Sequence, residues 1–160
     1  MRKDIRLKLR SVRFEVEASL FSSDEALRED GYSEAGEIEP STVEINTLGH
    51  LKREGGRVEV SYDETEATGM EGSTTAVYFV EDDDGVVSMV REGAVSTALV
   101  FEEGKRHHCV YNTPIMPFQV CVHTLKVDNR LLVDGYIDLD YIVEIRGAQA
   151  ERTKFHMEIL

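Results

Sequence analysis

The densest group of reactive side chains is His107-His108-Cys109, answered a short way on by Cys121-Val122-His123. Two histidines and two cysteines form the ligand set of a tetrahedral zinc site, or the thiol and base of a nucleophilic pair. A hairpin centred on Ile115 sets His107 opposite His123 and Cys109 opposite Cys121, all on one face, where opposed Cβ atoms lie ~5 Å apart. Against this, the spacing is not that of a zinc knuckle, and a flat two-stranded surface does not readily surround an ion. A register one residue away divides the four residues between the two faces. No third residue orients a histidine and nothing activates a thiol. We therefore expect no metal, no cofactor and no catalytic residue, and read the cysteines as small, reduced, apolar side chains.

A second group is ionic. Val58, Val60 and Tyr62 alternate, and Glu64 and Glu66 continue the same face; a carboxylate facing a core must find a partner or remain near water. Arg91, near the end of its own apolar run and beside Gly93, is a suitable bidentate partner for Glu64. Such a pair closes the end of a core as a structural element, which is its commoner role, or holds the polar end of a small ligand. In the second case Tyr62, Tyr111, Thr113 and Thr124 supply the hydroxyls that give a mainly apolar pocket its selectivity. The expected ligand-binding set is thus Tyr62, Glu64, Arg91, Tyr111, Thr113 and Thr124. No serine elbow, phosphate-cradling glycine loop or HExxH pattern occurs, so an enzyme is the least favoured reading.

The elements that must position these groups alternate apolar and polar residues with period two, which marks strands with one buried face. Ile5, Leu7 and Leu9 share a face opposite Arg6, Lys8 and Arg10. The apolar phase then moves to Val12, Phe14 and Val16, which predicts a β-bulge near Ser11. Val43, Ile45, Thr47 and Leu51 follow. Gly55-Gly56 then turns the chain into Val58, Val60 and Tyr62 as a hairpin. Further turns are predicted at Asp82–Gly85, Glu92-Gly93, Glu102–Lys105, Thr113–Pro117 and Gly147. The strands between them put Thr75, Val77 and Phe79, then Ile137, Leu139, Tyr141, Val143 and Ile145, then Thr153, Phe155, Met157 and Ile159 inward. This amounts to roughly nine or ten strands with no helix long enough for a parallel crossover. An antiparallel meander of this length removes its exposed edges by curling until its first and last strands pair, so an all-β up-and-down barrel is predicted.

The 160 residues are 41% apolar and 31% charged, with a net charge of −13. They suit one domain, 1–160, that can bury its own core. With a pI near 4.8, nucleic acid is not an expected partner, because that affinity comes mainly from Lys and Arg neutralising phosphates. No apolar run is long enough to span a membrane, no secretory leader is evident, and two cysteines are too few for a disulfide framework. A cytoplasmic location is expected.

Charge is unevenly distributed. Six of the 18 basic residues lie in the first thirteen positions, while residues 17–40 hold eight acidic side chains against Arg28 alone. The segment 17–41 is expected as an exposed, mobile acidic insertion after the first strand, with a capping box at Ser22-Ser23-Asp24-Glu25 opening a short helix that stops at Gly31. The ladder Arg6, Lys8 and Arg10 is expected to neutralise that segment or to guard a sheet edge.

The ordered series Tyr62-Asp63-Glu64-Thr65-Glu66, Thr68-Gly69-Met70, Thr74-Thr75, Val90-Arg91-Glu92-Gly93, Phe101-Glu102-Glu103-Gly104 and Tyr111-Asn112-Thr113-Pro114, with Thr124, resembles the YwiB-like family, a bacterial domain of unknown function found mainly in Firmicutes. The resemblance runs from about Val43 to the C-terminus and implies a calycin-type, lipocalin-like β-barrel. It carries no activity with it. Met116 stands where the family usually has a glycine shortly after the Thr-Pro, and the acidic segment is longer than the family's usual link. The function expected from these readings is noncovalent binding of a small, partly apolar ligand in the barrel cup. The alternative is a filled barrel that binds a protein partner through the basic strand or the acidic segment.

Overall fold

An antiparallel meander closes on itself only with an even number of strands, and here ten close. The computed structural model describes residues 1–18, 32–34, 40–68, 71–93, 96–145 and 150–160. Its strands are β1 (Arg2–Ala18), β2 (Tyr32–Glu34), β3 (Ser41–Glu54), β4 (Arg57–Asp63), β5 (Thr74–Val80), β6 (Asp83–Glu92), β7 (Ser96–Glu102), β8 (Arg106–Asn112), β9 (Pro117–Arg130), β10 (Tyr136–Ile145) and β11 (Ala150–Ile159). From β3 to β11 each strand lies beside the next, and β1 sits between β3 and β11. Leu7 is thus opposite Thr47 on one side and Ile159 on the other. The short β2 falls outside this closed set and pairs with the far end of β1, from Val16 to Ala18.

Local sequence explains the course of the chain. Gly55 and Gly56 both have positive φ, +59° and +80°, which is the backbone a tight primed turn between twisted strands requires. Gly49 answers a different need. A Cβ there would lie 2.6 Å from the Ser61 carbonyl oxygen and 2.7 Å from Leu7 Cδ1, so β3 passes between β1 and β4 only without a side chain. β6 starts at Asp83, earlier than the Val86 expected from the turn residues. Alternation elsewhere fills the interior with Leu7, Val58, Val60, Val87, Phe101, Val122, Ile137 and Met157, all fully buried.

The bulge expected near Ser11 does not occur. β1 keeps unbroken register with both neighbours across that point. The apolar phase changes because the outer face is itself buried there: Val16, Ile142 and Ala150 form a second cluster, with Phe14 and Leu125 against it. Ser11 and Arg13 therefore continue the inward face. Register shifts lie instead between β5 and β6, at Tyr78–Val80, and between β9 and β10, where Lys126 is opposite Asp140 and Thr124 opposite Tyr141. Leu125 is the extra residue, and it joins the outer cluster.

Two further features were not anticipated. The one-turn helix α1 (Leu131–Asp134) puts Leu131 into the core and ends at Gly135 with φ +82°, the left-handed cap that glycine adopts freely. The basic ladder on β1 does not guard an edge, since β1 is paired on both sides. Lys8 and Arg10 are met by Glu44 of β3, at 3.4 and 4.0 Å. The acidic insertion, with its expected helix from Ser22, lies outside the described residues apart from 17–18, 32–34 and 40–41. The turn at Gly147 also lies outside them. Among the described residues no helix is long and apolar enough to cross a membrane.

Candidate binding site at the barrel mouth

Strand register gathers the interior polar groups at one end. Tyr62, Thr75, Arg91, Thr97 and Tyr111 are successive neighbours across β4 to β8. The next inward row, Val60, Val77, Met89 and Leu99, is apolar. On the opposite wall Arg13, Thr153, Tyr141 and Thr124 are likewise neighbours across β1, β11, β10 and β9. Polar residues thus form a rim above an apolar floor.

Glu64 extends β4 by one step, its N–H donating to the Ser73 carbonyl at 2.8 Å, which turns the side chain inward. There the Thr75 hydroxyl donates to Oε1 at 2.7 Å, Arg91 Nη2 donates to the same oxygen at 3.4 Å, and Arg91 Nε donates to Thr75 Oγ1 at 3.1 Å. The contact is not the bidentate fork expected; Thr75 bridges the pair. Glu64 and Arg91 side chains are only 2% and 10% exposed. With both donors converging on Oε1, the buried Oε2 has no hydrogen-bond partner among the described residues.

Tyr62, Glu64 and Arg91 line a cavity with Ser11, Arg13, Thr68 and Tyr141, walled by Leu9, Val43, Ile45, Met89 and Phe155; its water-accessible volume is about 50 Å³. That space admits a few waters or the end of a small molecule, well short of the ~300 Å³ at which ordinary ligand pockets begin. The barrel below is filled by side chains, so a molecule bound here keeps its remaining atoms outside.

The other expected residues fall elsewhere. Tyr111 shares the row of Arg91 but does not line the cavity. Thr113 lies in the β8–β9 connection, its Oγ1 donating to the Met116 carbonyl at 2.8 Å and accepting from the Met116 N–H at 3.2 Å. Thr124 is wholly buried beside Tyr141, its hydroxyl without a partner among the described residues. Glu66 is exposed on a short 3-10 turn, Glu66–Thr68, and does not face inward. Thr75, Ser11, Arg13 and Tyr141 are the contributors sequence reasoning missed. The signal for the β1 pair was the alternation Ile5, Leu7, Leu9 continued without interruption.

The His/Cys group separates. His108 is opposite Cys121 and Cys109 opposite Val120, one residue from the expected register, so Cys109 and His107 face inward while Cys121 and His123 face out. Burial raises both thiols above their usual range, which disfavours the thiolate a nucleophile needs. Among the described residues no three His, Cys, Asp or Glu are grouped to hold a metal ion.

Burial also pushes the Tyr62 and Tyr141 phenols above their ordinary value of 10.0, Tyr62 further through Glu64. Below pH 10 both rings are protonated whether the chain is folded or not, and stability is unaffected. Above it the unfolded chain ionises first, so stability falls by up to ~1.4 kcal/mol per pH unit for each ring until the folded phenols titrate. Urea midpoints from pH 9 to 11 should show this loss. Tyr62→Phe should reduce its slope, and an unchanged slope would mean the ring is not held protonated by burial.

Residues 30–157 match the model of a family described as Domain of unknown function (DUF1934). No curated protein matches the chain. A solved structure described as the ywiB protein from Bacillus subtilis superposes with a TM-score of 0.62 at 15% identity, over 98% of this chain and 93% of that one. At that identity the likeness is one of fold.

Proposed function

The chain belongs to the DUF1934 family, and from that premise we propose that its barrel mouth binds a small, partly apolar molecule noncovalently, by the molecule's polar end. The observation that carries this reading is the Glu64 carboxylate, buried with one oxygen unpartnered among the described residues. A buried acceptor left unsatisfied is destabilising by roughly 1–3 kcal/mol, and a ligand donor would relieve it. Leu9, Val43, Ile45, Met89 and Phe155 around it suit short hydrocarbon. In this reading the domain is a carrier or sensor of lipocalin-like habit rather than an enzyme, and its free thiols suit a reducing, cytoplasmic setting.

A second reading, docking of a protein partner, draws support from Ile115 and Met116, which are 91% and 61% exposed on the β8–β9 connection.

Native mass spectrometry of the chain purified from its own host, followed by identification of anything released on denaturation, tests the first reading. A stoichiometric small molecule is expected, and Val43→Phe, which fills the mouth while leaving both members of the Glu64–Arg91 pair in place, should abolish its retention. A wild-type protein that carries nothing and shows no thermal shift across a metabolite panel sinks the proposal.

A further inference from the structure

Two charged groups at the mouth make opposite demands on a ligand. Glu64 lines the cavity, and its buried Oε2 has no donor among the described residues. Arg13, on the β1 wall of the same cavity, is exposed. The salt bridges that meet the neighbouring Lys8 and Arg10 through Glu44 do not extend to it, and it has no ion-pair partner among the described residues.

Arg91 is already engaged within the site, its Nε and Nη2 directed to Thr75 and Glu64, which leaves Arg13 as the cation at the rim. Arg91 does decide what kind of donor suits Glu64. With a guanidinium already offsetting the Glu64 charge in a buried site, an added ammonium would be an uncompensated cation, whereas a neutral hydroxyl meets the same acceptor without one. Arg13 then attracts an anion at the rim, where the guanidinium fork matches a carboxylate. Tyr141 lines the same cavity as both guanidiniums. Val43 and Ile45 are among its apolar walls.

We propose that the ligand is a hydroxycarboxylic acid of a few carbons, its hydroxyl donating to Glu64 Oε2 and its carboxylate held by Arg13. The proposal rests on the mouth being a binding site and names the chemistry that site selects.

Titration calorimetry with the ω-hydroxy acids from glycolate to 6-hydroxyhexanoate, each beside the acid lacking the hydroxyl, is the test. At least one hydroxy acid should bind about tenfold or more tighter than its counterpart, because a site built to hydrogen-bond a hydroxyl rejects the analogue without it. Glu64→Gln should abolish that preference while leaving carboxylate binding. Arg13→Met, an exposed substitution that leaves the core intact, should weaken both series by a similar factor. Equal binding with and without the hydroxyl, or indifference to Arg13→Met, overturns the ligand chemistry and leaves the mouth reading standing. The same division follows if no acid binds while native mass spectrometry releases a different molecule. If no acid binds and nothing is released, both readings fall.

Discussion

Arg91→Ala should destabilise the barrel by about 3–5 kcal/mol, the range for removing one partner of a buried ion pair. The Glu64 carboxylate would remain at 2% exposure with the Thr75 hydroxyl as its one remaining donor among the described residues. The penalty is mostly that of an uncompensated charge, and a paired replacement distinguishes it from lost packing. Replacing both partners together, Glu64→Leu with Arg91→Met, should be neutral or stabilising by up to about 4 kcal/mol, since neither charge is then left to desolvate. Urea unfolding of wild type, single and double variants reads the difference directly. A loss below about 1 kcal/mol for Arg91→Ala would mean that water reaches Glu64 as freely as a surface group, and the orphaned oxygen would lose its significance.

Phe101→Ala should be of similar size, about 3–5 kcal/mol, through a different mechanism. Phe101 is fully buried, and its ring centroid lies 4.5 Å from that of Tyr141 at a 48° tilt. That geometry adds an aromatic contact to the area buried. Removing the ring opens a void beside Tyr141, below the polar rim, and the pairing of Phe101 with Val87 of β6 limits how far the strand can collapse into it. For a domain of this length the expected drop in Tm is about 6–20 °C by calorimetry. Preserved stability would require the interior to repack around Tyr141, and the mouth cavity would then be deformable, against the filled floor described above.

What could be read in advance follows from physics the sequence expresses locally. A strand with one wet face alternates, so the barrel interior from Val58 to Tyr62 or from Ile137 to Tyr141 was legible residue by residue. Glu64 and Arg91 stood out as polar residues continuing inward runs, and the meander then sets β4 and β6 one strand apart. Thr75 between them was read as inward but not as the bridge, because a threonine on an inward face looks like an ordinary β-former. Outward burial misled for the converse reason. Val12, Phe14 and Val16 present the same pattern whether the strand bulges or its outer face is covered, and the wrong choice hid Ser11 and Arg13. The β8–β9 register turned on one residue. Thr113, bonded twice to Met116, makes a four-residue connection that brings Asn112 opposite Pro117, a detail of loop geometry that alternation does not encode. A single turn of helix such as Leu131–Asp134 is too short to display any period.

The seam at which β1 meets β11 has a consequence for how the chain is made. Leu7 pairs with Ile159 and Val16 with Ala150, so the contacts that shut the cylinder are among the most distant in sequence that the molecule contains. Hairpins from β3 to β10 can form in order as they emerge from a ribosome, each with its neighbour already present. β1, synthesised first, gains its second partner only when β11 is released, so until then one side of a strand carrying Ile5, Leu7 and Leu9 waits unpaired. Long-range closure of this kind slows folding and prolongs exposure of strand edges. Like charge on Arg6, Lys8 and Arg10 disfavours pairing of that strand with its copy in another unfinished chain.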